Sequence, residues 1–262
     1  MSVVILQDEI VHYEVMGRGR PLLFLHSWVG SWRYWIPTMQ VCSGAFRTYA
    51  VDLWGFGDSA KNPSNYPLRG QSELIGKFME QMGLAKVALV GHGLGGVVAL
   101  NFAAQHSGLV DRVMAVSIPY SESRINNRLR LAKPAELAEW LLGKDPTAEA
   151  ARVEAPKADY RAIQISLTHL TDLDLQELSN NTTIPCLFVH GETDPAIAAP
   201  GFDELFGLPE NTHHILFDQS GHFPMLDEPA KFNRLLSDFV MLDSGTSPRQ
   251  LQIKEEWKRR VR

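Results

Sequence analysis

Cysteine is scarce in this chain. The two residues present, Cys42 and Cys186, lie far apart and inside apolar stretches. That excludes a disulfide framework or a cysteine metal site and reads as two small buried hydrophobes in a reducing compartment. Long apolar runs are also missing: none reaches the roughly 18 residues needed to span a bilayer. The start, Met1 to Leu6, breaks at Gln7-Asp8-Glu9 without a basic or a long apolar region, so no signal peptide is expected and a cytoplasmic setting is. Positive charge is not in excess either. The formal net charge of −5 offers no basic face to nucleic acid over the body of the protein.

What is present is a core-forming composition, 45% hydrophobic over 262 residues, enough for one domain with insertions. Short apolar runs alternate with longer helical patterns, the mark of a mostly parallel sheet covered by helices on both faces. Expected strands are Val3 to Leu6, Ile10 to Val15, Leu22 to Leu25, Arg47 to Val51, Val87 to Val90, Val113 to Ile118, Cys186 to Val189 and His214 to Phe217. Expected helices are Ser31 to Cys42, Gln71 to Met82, Leu94 to His106 and Pro229 to Met241.

Between the sixth and seventh strands, residues 121–181 carry helical periodicity broken by Pro134, Pro146 and Pro156. An insertion there reads either as a substrate lid over the carboxyl ends of the strands or as a solvent-side excursion, and the lid is preferred. The domain reading is a core of 1–120 and 182–243, a helical cap of 121–181 and a basic tail of 244–262. In the tail, Ile253, Trp257 and Val261 form an i, i+4, i+8 row among Lys254, Lys258, Arg259, Arg260 and Arg262, which suits a short amphipathic helix. It reads as a solvated or self-docked segment, with an acidic partner or membrane surface as the alternative.

Four segments carry chemistry. Val90-Gly91-His92-Gly93-Leu94-Gly95-Gly96 follows a strand and opens a helix. Phe188-Val189-His190-Gly191-Glu192-Thr193-Asp194-Pro195 ends another strand. Asp218-Gln219-Ser220-Gly221-His222-Phe223 precedes the last helix, and His26-Ser27-Trp28-Val29-Gly30 follows the third strand. Together, and in their order along the chain, they resemble the α/β-hydrolase superfamily, in its esterase, haloperoxidase and C–C hydrolase branch. The resemblance covers nearly the whole chain except the basic tail and implies an eight-stranded, mostly parallel sheet with a small helical cap.

The resemblance places the family's G-x-S-x-G nucleophile elbow at Gly91 to Gly95, with Gly93 where a serine is expected. A glycine has no attacking atom, so the usual acyl-enzyme route through this position is closed. It puts the acid at Asp194, with Glu192 as a nearby surface competitor, and the general base at His222. His92 would turn away from the pocket. The backbone N–H groups of Trp28 and Leu94 would face a developing oxyanion, where such donors are worth roughly 3 kcal/mol each. Ser27 stands in place of the family's glycine and either narrows the loop or adds a hydroxyl to the pocket.

Asp52-Leu53-Trp54-Gly55-Phe56-Gly57-Asp58-Ser59 resembles the family's pocket-shaping D-x-x-G-x-G-x-S segment and lacks the lysine of a phosphate loop. Ser27, Trp54, Trp140 and Phe223 are the expected pocket residues, and Trp28, Trp32 and Phe56 add aromatic surface, so the expected ligand is a small apolar ester-like or acyl compound. No metal set or cofactor motif is read.

Three functional classes then fit Gly93, which leaves the chain slow or inactive as a serine hydrolase: a hydrolase whose serine has been exchanged, which is preferred, water activation or lyase chemistry by the His222–Asp194 pair without a covalent intermediate, and a small-molecule binder that keeps the pocket. On the first, a serine at 93 is expected to create or recover esterase activity.

Overall fold

A computed structural model describes residues 2–143, 146–170, 177–178 and 181–251. Eight strands form one sheet in the order β1-β2-β4-β3-β5-β6-β7-β8: β1 (Ser2–Leu6), β2 (Glu9–Gly17), β3 (Arg20–Leu25), β4 (Phe46–Val51), β5 (Val87–His92), β6 (Val110–Val116), β7 (Cys186–Gly191) and β8 (Thr212–Phe217). From β4 through β8 neighbouring strands run parallel; β1–β2 and β2–β4 are antiparallel. The first two strands are joined at Gln7 and Asp8, both with positive φ, the backbone sign that a two-residue hairpin turn demands.

Why these runs pair in parallel is visible in their burial. Every residue of β5 and β7 is buried, as are Leu22 to Leu25 of β3. Strands covered on both faces must be apolar almost throughout. The cover comes from α1 (Ile36–Cys42), α2 (Leu68–Gln81), α3 (Leu94–Gln105) and a last helix; α2 packs on α3, and α1 packs on the last helix. Among the described residues between β6 and β7 lie α4 (Arg128–Leu131), α5 (Pro134–Leu141), α6 (Glu149–Glu154) and α7 (Tyr160–His169). After them come α8 (Phe202–Phe206), α9 (Pro224–Asp227) and α10 (Pro229–Val240). The α10 face made by Phe232, Leu235, Leu236, Phe239 and Val240 is buried. Its end is held by the buried Arg112 guanidinium, which donates to the carbonyls of Phe239, Leu242 and Asp243 at 2.6, 2.8 and 3.1 Å. A cation there also meets the negative end of the helix.

Most element bounds differ from expectation by one to three residues, and two differences have a local cause. The sixth strand runs Val110–Val116 rather than Val113 to Ile118, because Ser117 takes φ 48 and leaves the ladder there. The segment from Ser31 opens as a 3-10 turn over Trp32–Trp35, capped by the Ser31 hydroxyl, before Ile36 and Pro37 start the α-helix. Proline lacks an N–H and suits a first helical turn. Among the prolines between β6 and β7, Pro134 begins a helix instead of interrupting one. The amphipathic pattern of Ile253 to Arg262 lies outside the described residues. Arg249, just before it, donates to the carbonyls of Leu208, Pro209 and Thr212 and docks the chain beside β8. No helix among the described residues is long and apolar enough to cross a membrane.

Candidate active site

The carboxyl ends of β3, β5, β7 and β8 converge, the place where parallel sheets put their functional loops. Gly93 sits between β5 and α3 with φ 50 and ψ −115, a conformation side chains rarely adopt. Gly95 lets α3 approach the loop after β3: a Cβ there would fall 2.5 Å from the Leu25 carbonyl oxygen. The Gly95 N–H donates to the His26 carbonyl at 3.0 Å. Local glycines thus lock the turn against the neighbouring strand end.

Asp194 follows β7, and His222 follows β8. His222 Nδ1–H donates to Asp194 Oδ2 at 2.8 Å. The other carboxylate oxygen, Oδ1, accepts the N–H groups of Ala196 and Ile197 at 2.8 and 3.1 Å. The carboxylate is therefore oriented by three donors, and His222 is left with its Nε2 lone pair free to accept a proton. Glu192, on the same loop, is exposed.

Ser27 is the partner of that lone pair. Its Oγ lies 3.2 Å from His222 Nε2, and both residues are buried, 0% and 1% exposed. The backbone N–H groups of Trp28 and Leu94 have no hydrogen-bond partner among the described residues. Trp28 is buried, and its indole N–H donates to Ser166 Oγ on α7 at 3.0 Å. Trp54 is buried, and its main chain is clasped by Gln71, which accepts from its N–H and donates to its carbonyl. Phe223 packs edge-on against His92 and Tyr34. Trp140 on α5 is stacked by the Arg128 guanidinium, 4.8 Å from the ring centre. Trp32 faces His12 instead.

A supporting network was not legible from the motifs. His92 lies beside His222: its Nε2–H donates to the His222 carbonyl at 2.7 Å, and its Nδ1 accepts from the Tyr34 hydroxyl at 3.0 Å. The same hydroxyl accepts the Ser27 N–H at 2.8 Å. Ser117, held at its positive φ, also donates to the His222 carbonyl at 3.1 Å. His26 donates from Nδ1 to the Ser27 carbonyl at 2.7 Å and accepts the Leu53 N–H at 2.9 Å. Tyr34 and Ser117 lie outside the motif segments read from the sequence, so only the assembled fold brings them in.

Away from this centre, His12, Asp52 and Asp58 also gather. Asp52 there is saturated by the N–H groups of Trp32 and Asp58 and by the His12 ring, which suits a loop anchor.

Burial disfavours the charged form of several histidines. Loss of hydration pulls His92 well below the ordinary histidine value and lowers His26 and His190; His214, beside His190, falls to about 2. These groups stay neutral in the folded chain but take up protons near pH 6.5 once unfolded. A depressed folded pKa of a base means stability that is present above the unfolded value and lost as pH falls below it. Denaturant unfolding should therefore show stability level above pH 7 and declining from about pH 6.5 toward 5, with more than one proton taken up per molecule unfolded. A flat profile between pH 7 and 5 would contradict the neutral, buried histidines.

The chain resembles proteins of known activity along nearly its full length. It is 24% identical over 254 residues to a pimeloyl-[acyl-carrier protein] methyl ester esterase of Vibrio cholerae, covering 88% of this chain and 98% of that one. The enol-lactonase of Burkholderia xenovorans superposes with a TM-score of 0.79 at 18% identity, over 92% of this chain and all of that one. A serine-to-glycine mutant of the N-acyl homoserine lactonase AidH, complexed with N-hexanoyl homoserine lactone, does so at 0.78 and 20% identity, over 91% and 96%. The alpha/beta hydrolase family model matches residues 22–235, from β3 into α10, and with that match and this sheet the chain belongs to the alpha/beta hydrolase family.

Proposed function

We propose that this protein hydrolyses a small apolar ester-like or acyl substrate at the site between β3, β5, β7 and β8. The observation that carries the reading is the 2.8 Å bond from His222 Nδ1 to Asp194, which leaves Nε2 as a proton acceptor aimed at the loop after β3. Asp194 orients the ring, and His222 serves as general base. The N–H groups of Trp28 and Leu94 receive the oxyanion as it forms. Gly93 holds the elbow position, with glycine in place of a nucleophilic serine, so no attack starts from that residue. Acyl chemistry is also what the esterase and lactonase named above share.

In this reading residues 1–120 and 182–243 form the core, 121–181 the cap, and 244–262 an appended tail; a cytoplasmic setting goes with it. The cap reading is supported by the Trp28–Ser166 bond and by Tyr66, whose hydroxyl donates to Asp159 at the start of α7. Ser27 and His222 are sealed, so substrate enters when the covering helices part. The pocket is Ser27, Trp54, Phe223 and, from the cap, Trp140, a set with few charges that favours an apolar acyl group.

The test is hydrolysis of p-nitrophenyl acetate and butyrate by the protein and by His222→Ala. The expected outcome is turnover that falls by at least about 10²-fold in the variant, the usual worth of a general base. Turnover that ignores His222, or none at all, would move the protein to the class of small-molecule binders.

A further inference from the structure

The chain departs from its family's pattern at two positions far apart in sequence: glycine at 93 where the nucleophile belongs, and serine at 27 where the oxyanion loop has glycine. In the fold the two meet. A Cβ built on Gly93 would fall 2.1 Å from Ser27 Oγ and 3.0 Å from Ser27 Cβ. The Ser27 hydroxyl thus fills the space that an elbow side chain would occupy, and it faces the same histidine nitrogen, 3.2 Å away.

From this the geometry points to Ser27 as the nucleophile of this enzyme, moved from the β5–α3 elbow to the loop after β3. The inference rests on the hydrolase reading above and names the attacking atom which that reading leaves open.

The hydroxyl is presented by a fixed backbone. The Ser27 N–H is bound by Tyr34 and its carbonyl by His26, and His26 in turn is held by the Leu53 N–H. The Tyr34 hydroxyl continues to His92, and His92 to the carbonyl of His222. One chain of hydrogen bonds therefore sets the backbones of both Ser27 and His222. Such restraint is what an attacking group needs, since positioning supplies a large part of the rate. The tautomer agrees: with the Nδ1 proton engaged by Asp194, Nε2 is the acceptor and the serine hydroxyl the donor. A serine that merely filled space would not need this alignment.

The chemistry balances with an ester and water alone. Ser27 Oγ bonds to the acyl carbon as its proton passes to His222 Nε2, and the carbonyl electron pair moves onto oxygen beside the Trp28 and Leu94 N–H groups. Collapse breaks the acyl–alkoxy bond, and the alkoxide leaves with the proton from Nε2. Water then attacks the Ser27 ester, giving one proton to His222; the acid departs, and Ser27 Oγ recovers that proton.

The experiment treats the full chain with an alkyl fluorophosphonate, maps the adduct by peptide mass spectrometry, and follows p-nitrophenyl butyrate in the pre-steady state. Phosphonylation of the peptide carrying Ser27, a p-nitrophenolate burst, and loss of both in Ser27→Ala and His222→Ala are expected. Ester turnover by Ser27→Ala should fall by at least about 10³-fold, within the roughly 10⁶-fold that loss of a serine nucleophile can cost. Labelling of the unaltered chain needs no variant to fold, and circular dichroism checks the variants. Ser27→Ala that keeps turnover within threefold, without a burst and still dependent on His222, would overturn the inference and keep the hydrolase reading through direct water activation. An adduct on another residue would overturn the inference alone, and silence from the unaltered chain toward both probes would overturn the two together.

Discussion

Replacing Asp194 by asparagine is expected to lower ester turnover by about 10⁴-fold at neutral pH, as loss of the correct histidine tautomer does in serine hydrolases. The argument is about where protons must go. Oδ1 of Asp194 receives two backbone N–H groups, from Ala196 and Ile197. An asparagine at this position must keep its carbonyl oxygen there, because turning the amide would set an NH₂ against two donors. Its nitrogen then faces His222 Nδ1, where it can only donate. The imidazole responds by carrying its proton on Nε2, the atom 3.2 Å from Ser27 Oγ. That nitrogen can no longer take a proton from an attacking hydroxyl or water. Because the backbone contacts of Oδ1 survive, the thermal midpoint should change little, and a steady-state measurement of kcat beside a melting curve checks both halves. A fall of less than tenfold would mean that His222 does not work as the base.

The second large effect concerns Gly93→Ser. Taken alone, the elbow motif suggests that this exchange restores an esterase, yet the three-dimensional surroundings argue that it does not suffice. The new Cβ would lie 2.1 Å from Ser27 Oγ and 3.0 Å from both Ser27 Cβ and the Trp28 ring. Ser27 can relieve the first contact by rotating, which takes its hydroxyl away from His222. The positive φ of 50 adds strain of about 1–3 kcal/mol for a side chain there. The single variant should melt lower and be no faster than the parent.

Removing the Ser27 side chain as well, in Ser27→Gly with Gly93→Ser, frees the space and returns the family's arrangement of glycine in the loop and serine at the elbow. Activity toward p-nitrophenyl butyrate should then rise at least about 10²-fold above Ser27→Gly alone, a strong departure from additivity between touching residues. A double variant whose kcat/KM is the simple product of the two single effects would show that positions 27 and 93 do not share one catalytic place.

Much of this architecture could be read from residue order. Continuous apolar runs such as Leu22 to Leu25 and Val87 to Val90 specify strands buried on both faces. The glycine-rich turn after β5 and the loops bearing Asp194 and His222 occupy the strand ends that the motifs indicated. These features are local, since a hydrophobic period, a helix cap or a tight turn is decided by residues within a few positions of one another. Boundaries were less legible where a single backbone angle decided them. Nothing in the alternation of β6 announces that Ser117 takes a positive φ, because that angle is supported by the bond from its hydroxyl to His222, a residue remote in sequence.

The candidate site divides in the same way. Sequence alone put His222, Asp194 and the loop after the third strand in the order that the family resemblance implies, with glycine at 93 where that resemblance expects serine. It also displayed the second departure, Ser27, without revealing that the two are related. Tyr34 gave no motif signal at all, and the elbow segment that holds His92 did not show which groups its ring would bind. Only the tertiary structure sets the Ser27 hydroxyl 2.1 Å from where a Cβ on Gly93 would fall and 3.2 Å from the His222 Nε2 nitrogen. The physical reason is that a catalytic position is a point in space defined by several chain segments at once, so the chain can supply its atom from any strand end that reaches it.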